Sequence, residues 1–151
     1  MRTLTGILLM GALSLPLAAS AAEPEEGAEA QKGTEGKAGC QPIRLHFELD
    51  SATIDDSQKA ALDQAAQCLS ENEKLRVFVE GNTDSLGSHE YNRQLGAKRS
   101  AAVADYLKGK GVQSSQLQQI SFGEGNPVCS GKSESCLQEN RNTALRPACK
   151  L

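Results

Sequence analysis

The chain has 151 residues, a formal net charge of −3, and hydrophobic residues at 38% of its positions. This negative balance, and the lack of a basic patch interleaved with aromatic residues, argue against a nucleic-acid-binding protein. Two Tyr, three Phe and no Trp leave a core that must be built from aliphatic side chains.

The N-terminus has the pattern of a secretory signal peptide over residues 1–21, with cleavage expected near Ala21. Arg2 precedes the apolar run LLMGALSLPLAA, and small residues follow it. The run is shorter than the roughly 20 residues that a membrane-spanning helix needs. Because the first cysteine, Cys40, lies far beyond the cleavage region, we expect a soluble secreted protein without a lipid anchor.

A change of composition marks the start of the folded part. Residues 22–39 are rich in Glu, Ala and Gly and contain no large apolar side chain, so they predict a flexible acidic linker. Residues 40–151 are then long enough for one compact domain. The sequence therefore predicts a signal peptide, a linker and a single domain.

The first two predicted elements are a strand and a helix. IRLHFELD, residues 43–50, alternates apolar and polar residues and predicts a half-buried strand with Leu49 on the inner face. Asp56 or Ser57 is expected to cap a helix over 58–70. Its apolar residues repeat at helical spacing, and these are Leu62, Ala65, Ala66 and Leu69.

A second strand and a longer helix follow. KLRVFVEG, residues 74–81, alternates again and is expected to end at Gly81. Ser88 is the expected N-cap of a helix that runs to about Lys108, before the glycines of GKG.

The last predicted elements are a strand over residues 117–122 and a weaker one over 142–145, which Pro147 ends. The order is strand, helix, strand, helix, strand, loop, strand. This order predicts an α+β domain in which helices pack on one face of a small mixed β-sheet.

Five cysteines in a secreted chain predict a disulfide framework with one thiol left over. Two bridges among five thiols allow several connectivities. Two pairings are geometrically natural: Cys129 and Cys136 flank the polar loop SGKSES, while Cys40 precedes the first strand and Cys68 lies near the end of the first helix. Cys149 is then free or available to a partner. The spacing of Cys129 and Cys136 favours neither a redox pair nor a zinc site.

An unexpected charge lies on the second helix. Asn92 and Arg99 fall on its inward stripe, shortly after the turn that carries Thr83 and Asp84. Gly96 on the same line weakens the helix by about 1 kcal/mol relative to alanine, so we expect the preceding turn or a ligand to approach there.

Asp84 and Arg99 allow two interpretations. They are a structural ion pair, or Arg99 extends its charged end to water from a buried stem. Alternatively, the acid and the base are held apart so that a zwitterionic ligand bridges them, with its ammonium on Asp84 and its carboxylate on Arg99. A hydrolase reading through Ser85, His89 and Asp84 lacks any supporting motif, and we expect no enzyme.

Several separated segments resemble one family. The signature of OmpA-like C-terminal domains resembles the segment GNTDSLGSHEYNRQLGAKRSAAVADYL. Within that family, the segment is most similar to the peptidoglycan-associated lipoproteins, called Pal. FELDSATI, ISFGEGNP and ENR agree in order, so the resemblance runs from about Ile43 to Arg141.

The resemblance implies non-covalent binding of peptidoglycan through the meso-diaminopimelate of its stem peptide, in the cell envelope near the outer membrane, without cofactor or metal. Asp84 and Arg99 match the residues that hold the zwitterionic end of that group. The full set of candidate ligand residues is Asp84, Arg99, Thr83, Asn92, Asp50, Leu86, Gly87 and Arg141.

Three features depart from the family pattern. Asn82 replaces the usual histidine, and Asn142 and Thr143 replace an arginine and an apolar residue after Arg141. The lipid-attachment cysteine of Pal is missing. The alternative function is therefore a protein-interaction module with weakened wall binding, docking to the Tol system or to an outer-membrane protein.

Overall fold

The structure, a computed structural model, describes residues 40–148, so the predicted signal peptide, linker and Cys149 lie outside the described residues. In chain order the elements are β1 (Ile43–His46), α1 (Asp56–Glu71), β2 (Val77–Asn82), α2 (His89–Gly109), a 3-10 turn (Ser114–Gln116), β3 (Leu117–Gly123), α3 (Glu134–Asn140) and β4 (Asn142–Pro147).

The strands form one mixed sheet in the order β1-β4-β2-β3. β2 pairs with β3 in parallel, and β4 runs antiparallel to both of its neighbours, β1 and β2. The predicted α+β class with a small mixed sheet is confirmed. The last strand is predicted as a weak terminal element, but it lies in the middle of the sheet and extends to Pro147.

The hydrophobic core lies between the sheet and the helices α1 and α2. Alternate residues of β2, such as Val77 and Val79, point to the same side as Leu45 of β1 and pack with the helices. The predicted apolar stripe of α1 is confirmed, because its four members are buried, namely Leu62, Ala65, Ala66 and Leu69.

The end of β1 differs from the prediction. The strand stops at His46 rather than at residue 50, and Leu49 is 53% exposed instead of lying on the inner face. The physical reason is a tight turn, in which Ser51 N donates to Glu48 O and Asp50 adopts a φ of 53°. A turn breaks the alternation of faces, so Leu49 no longer follows the pattern of Leu45.

The helix starts were predicted with mixed success. Ser88 caps α2 as expected, with its Oγ accepting from Tyr91 N at 3.2 Å. The prediction for α1 is wrong, since the cap is Asp55, whose Oδ1 accepts from Ser57 N at 2.8 Å. β2 also begins and ends later than predicted and includes Asn82.

The predicted loop between the last two strands contains a helix, α3, of seven residues. Ser133 caps it, accepting from Cys136 N at 3.3 Å. Both geometrically natural disulfides are confirmed: Cys40–Cys68 joins the segment before β1 to α1, and Cys129–Cys136 joins the segment before α3 to that helix.

Candidate functional site

The turn that follows β2 forms the floor of the candidate site. Thr83 N donates to Gly123 O at 2.9 Å, which ties the turn to the end of β3. Thr83 Oγ1 donates to the carbonyl oxygen of Asp84, and Asn92 Nδ2 from α2 reaches the same oxygen at 3.4 Å. Thr83, Asp84 and Asn92 are buried, so the structure brings these three predicted residues together.

The carboxylate of Asp84 has two partners. Oδ1 accepts from Leu86 N at 3.0 Å, and Oδ2 accepts from Arg141 Nη1 at 2.9 Å. The side chains of Asp84 and Arg141 are only 5% and 4% exposed, so this is an enclosed, charge-assisted contact. Arg141, one of the candidate ligand residues, therefore lies against Asp84 in the structure.

Arg99 makes no side-chain pair with Asp84. Its guanidinium donates instead to backbone carbonyls, from Nε to Ser51 at 2.8 Å, from Nη1 to Asn82 at 2.9 Å and from Nη2 to Glu48 at 3.0 Å. The guanidinium carbon also lies 5.2 Å from the centre of the Phe47 ring.

Both structural interpretations of Arg99 are therefore wrong. It is not ion-paired to Asp84, and with 0% exposure it does not extend into water. Burial lowers the pKa of Arg99 to about 10, and the negative charge of Asp84 is the largest influence that opposes the shift. The two residues thus act on each other through charge within one enclosed region.

The exposed rim of the site comes from the loop after β1 and the start of α2. Tyr91 Oη donates to Asp50 Oδ1 at 3.1 Å, which links the two segments. Leu86 is 49% and Tyr91 42% exposed. Gly87 has a φ of 94°, and a Cβ there would lie 3.3 Å from Tyr91 Cδ1, so the tyrosine ring packs on this glycine.

The close approach predicted at Gly96 exists, and its partners lie on β2 and β3 rather than in the turn. A Cβ on Gly96 would overlap Ser121 Oγ and lie 2.8 Å from Gly81 O. The backbones of α2 and β2 therefore touch at Gly81 and Gly96. This contact places α2 directly on the sheet, and Arg99, one turn further along, reaches the carbonyl of Asn82 at the end of β2.

Two residues that depart from the family pattern, Asn82 and Asn142, meet in space. Asn82 Nδ2 donates to Asn142 Oδ1 at 3.0 Å, across β2 and β4. Both side chains are buried, at 3% and 0% exposure. The two asparagines thus contact each other directly, and Asn82 also supplies the carbonyl that Arg99 uses.

The hydrolase reading finds no support in the geometry. His89 Nδ1 contacts Glu124 Oε1 at 2.7 Å, and Asp84 is committed to Arg141 and Leu86 N. Among residues 40–148, no cluster of His, Cys, Asp and Glu side chains is arranged to hold a metal ion. Within the same range, no helix has both the length and the apolar character needed to cross a membrane.

Three residues around the site were missed by the sequence analysis: Tyr91, Glu134 and Gln138. The last two contact the guanidinium of Arg141 from α3. Their spacing, with Arg141 three residues after Gln138, is that of one helical face. This spacing indicates a shared face only if the segment SGKSES is predicted to lead into a helix.

Comparison with known proteins gives a consistent family relationship. Residues 46–142 match the OmpA family. The peptidoglycan-associated lipoprotein of Pasteurella multocida is 34% identical over 148 residues, covering 96% of this chain and 99% of that protein. The protein of the same name from Mesorhizobium japonicum is 41% identical over 98 residues, covering 65% of this chain. The match spans 58% of the Mesorhizobium japonicum protein and 61% of the Pseudomonas putida relative.

Solved structures share the fold. The crystal structure of the peptidoglycan-associated lipoprotein from Burkholderia pseudomallei aligns with a TM-score of 0.69 and 35% identity, covering 70% of this chain and 89% of that one. The C-terminal domain of Helicobacter pylori MotB aligns with a TM-score of 0.66 over 72% of this chain and 85% of its own, and its 22% identity supports the fold alone.

Proposed function

The chain belongs to the OmpA family, and from this premise we propose that it binds peptidoglycan non-covalently, through the meso-diaminopimelate of the stem peptide. The relatives from Pasteurella multocida and Mesorhizobium japonicum carry the name peptidoglycan-associated lipoprotein. Their name supports a place in the cell envelope for this chain, in the periplasm and against the wall. No bond is made or broken in this function.

The observation that carries the proposal is the enclosed set of opposite charges at Asp84, Arg99 and Arg141. Arg141 pairs with the carboxylates of Asp84 and Glu134, and Arg99 is buried in the same region, where the charge of Asp84 opposes the lowering of its pKa. A site that holds a carboxylate and an unpaired guanidinium apart suits a ligand group that carries both charges. The free end of diaminopimelate, an ammonium and a carboxylate on one carbon, is such a group.

Hydrogen-bonding capacity remains on both key residues. A guanidinium has five N–H donors, and the carbonyls of Ser51, Asn82 and Glu48 use three of them on Arg99. An ionised carboxylate accepts about four hydrogen bonds, and Asp84 has two recorded partners. A ligand carboxylate at Arg99 and a ligand ammonium at Asp84 use this spare capacity.

Access requires a local movement, because Arg99 is 0% exposed. The carbonyls of Glu48 and Ser51, which lie in the loop after β1, enclose its guanidinium. The proposal therefore includes a shift of this loop when the ligand enters. Asp50 and Tyr91, which link the loop to α2 at the surface, are then the contacts that change first.

Calorimetric titration with two soluble muropeptides tests the proposal. One contains meso-diaminopimelate, and the other has lysine in its place and so lacks the side-chain carboxylate that Arg99 holds. We expect binding of the first and at least tenfold weaker binding of the second. Equal affinity for both peptides, or no binding to either, would contradict the proposed recognition.

Two variants separate the site from the fold. Asp84→Asn removes the charge that receives the ligand ammonium and keeps the shape, and it should cost about 2–5 kcal/mol of binding free energy. Glu80→Gln is the matched control, because Glu80 is another largely buried carboxylate of the same region of chain, paired with Arg146 on β4. It should leave the affinity unchanged.

A protein-interaction module is the second candidate function. The observation that favours it is the complete enclosure of Arg99. Three backbone carbonyls accept hydrogen bonds from its guanidinium, an arrangement that serves the fold without any ligand. Under this alternative neither muropeptide binds, and the exposed rim with Leu86 and Tyr91 contacts an envelope protein instead.

A further inference from the structure

We infer that helix α3 is a positioning element for the proposed site, in which Glu134 and Gln138 fix the orientation in which Arg141 meets Asp84. The Cys129–Cys136 disulfide keeps this helix in place. The expected effect of α3 on ligand affinity rests on the proposed function. Its effect on the position of Arg141 rests on the geometry alone.

The guanidinium of Arg141 is divided between two sides. Toward α3, Nη2 donates to Glu134 Oε1 at 2.5 Å and Nε donates to Gln138 Oε1 at 3.0 Å, with a further contact between Nη2 and the same Gln138 oxygen. Toward the turn after β2, Nη1 donates to Asp84 Oδ2 at 2.9 Å. The orientation in which Arg141 meets Asp84 is thus set from α3.

The charges support the same assignment. Burial alone would lower the pKa of Arg141, but its hydrogen bonds to the carboxylates of Glu134 and Asp84 raise the pKa above the ordinary arginine value. Arg141 therefore remains a cation between two anions. If Glu134 is removed, Asp84 becomes its only carboxylate partner, and a guanidinium free to turn engages that carboxylate more fully.

Such engagement competes with the ligand. Asp84 is the proposed receptor of the ligand ammonium, and each oxygen that Arg141 takes is lost to that role. Because the contacts from α3 restrain Arg141, part of the acceptor capacity of Asp84 stays available to the ligand. The positioning role of α3 is thus to keep the contact between Arg141 and Asp84 to a single hydrogen bond.

A helix of seven residues is too short to persist without external support. The disulfide ties Cys136 of the helix to Cys129. Asn140, at the other end of the helix, makes a second link to the same segment, with Oδ1 accepting from Cys129 N at 3.0 Å and Nδ2 donating to Cys129 O at 2.7 Å. The two links fix both ends of α3 to one point of the chain.

The test compares two site-directed changes with two matched controls. Glu134→Gln removes the charge that holds Arg141, and Glu139→Gln makes the same change on an exposed residue of the same helix. The double change Cys129→Ser, Cys136→Ser removes the bridge at α3, and Cys40→Ser, Cys68→Ser removes the bridge at α1. The protein is titrated with the diaminopimelate muropeptide, and thermal unfolding is recorded for each variant.

We expect Glu134→Gln and the α3 bridge variant to lose at least fivefold in affinity, and both controls to stay within twofold of wild type. Equal affinities of Glu134→Gln and Glu139→Gln would overturn the inference. So would a loss that follows the unfolding temperature equally in both bridge variants. Glu134→Gln decides the matter if a bridge variant does not fold, because the Glu134 side chain is 76% exposed.

A second readout does not need the ligand. The Nε–H group of Arg141, which donates to Gln138, gives a side-chain signal in nitrogen–proton NMR spectra. Its exchange with solvent should become at least tenfold faster in Glu134→Gln and remain unchanged in Glu139→Gln. If wild type binds no muropeptide, the proposed function fails, and this exchange rate alone supports or overturns the role of α3.

Discussion

The backbone contact between Gly96 of α2 and Gly81 of β2 leads to a quantitative prediction for Gly96→Ala. A methyl group at this position would overlap Ser121 Oγ and lie 2.8 Å from Gly81 O. The serine cannot turn away freely, because its hydroxyl donates to Arg93 O at 2.7 Å. The carbonyl belongs to the strand, so either the helix or the sheet has to move.

The magnitude follows from opposing contributions. Overpacking in a close-packed interior costs about 1–3 kcal/mol. Loss of the Ser121 hydrogen bond costs about 1 kcal/mol more. Alanine is the better helix former by about 1 kcal/mol. The balance is a net destabilisation of about 1–3 kcal/mol, which lowers the unfolding temperature by roughly 4 °C per kcal/mol in a domain of this size.

Urea unfolding followed by circular dichroism measures this difference, with Gly109→Ala as the matched control. Gly109 lies in the same helix, and a Cβ there would meet no atom within 4 Å. The control should therefore gain up to about 1 kcal/mol from helix propensity alone. If Gly96→Ala is as stable as wild type or more so, the contact with Gly81 does not set the position of α2.

Three further predictions concern other parts of the domain. Gln116→Ala should lower the unfolding free energy in urea by about 1–3 kcal/mol, because its buried Nε2 donates to carbonyls at and after the end of α1; an unchanged midpoint would contradict this. In a double-mutant cycle, Asn82→Ala and Asn142→Ala should show a coupling of at least about 0.5 kcal/mol, whereas additive effects would mean that the asparagines act independently. Burial opposes ionisation of Glu124, but its hydrogen bond to His89 lowers the pKa of Glu124 below the ordinary 4.5. The resulting contribution to stability is present above that value and is lost as the pH falls through the lowered pKa. Glu124→Gln should therefore reduce the loss of unfolding free energy at acidic pH.

Local signals account for what could be predicted. The stripe of α1 and the Ser88 cap of α2 depend on residues within a few positions of each other, and both are confirmed. The prediction for Leu49 is wrong because the alternation of apolar and polar residues continues in the sequence after the strand has ended. The turn that ends the alternation is visible only in the structure, where Asp50 has a positive φ.

Long-range contacts account for what could not. The sequence places Asp84 and Arg99 in one region, but Asp84 bonds Arg141, which is 57 positions away in the chain. No periodicity encodes such a partner. Helix α3 is equally hidden, since its seven residues depend on the Cys129–Cys136 bridge and on Asn140 rather than on propensity.

The central position of β4 has a consequence for how the chain acquires its structure. Among residues 40–148, β1 pairs with β4 alone, so it gains this partner when residues 142–145 arrive, almost the whole domain later in the chain. Such distant pairing makes folding slow, because a long loop must close before the pairing stabilises anything. In a chain synthesised from its N-terminus, β1 therefore stays without this pairing until the last segment has emerged. Arg141 arrives with that segment, so the contact between Asp84 and Arg141 in the candidate site also forms only then.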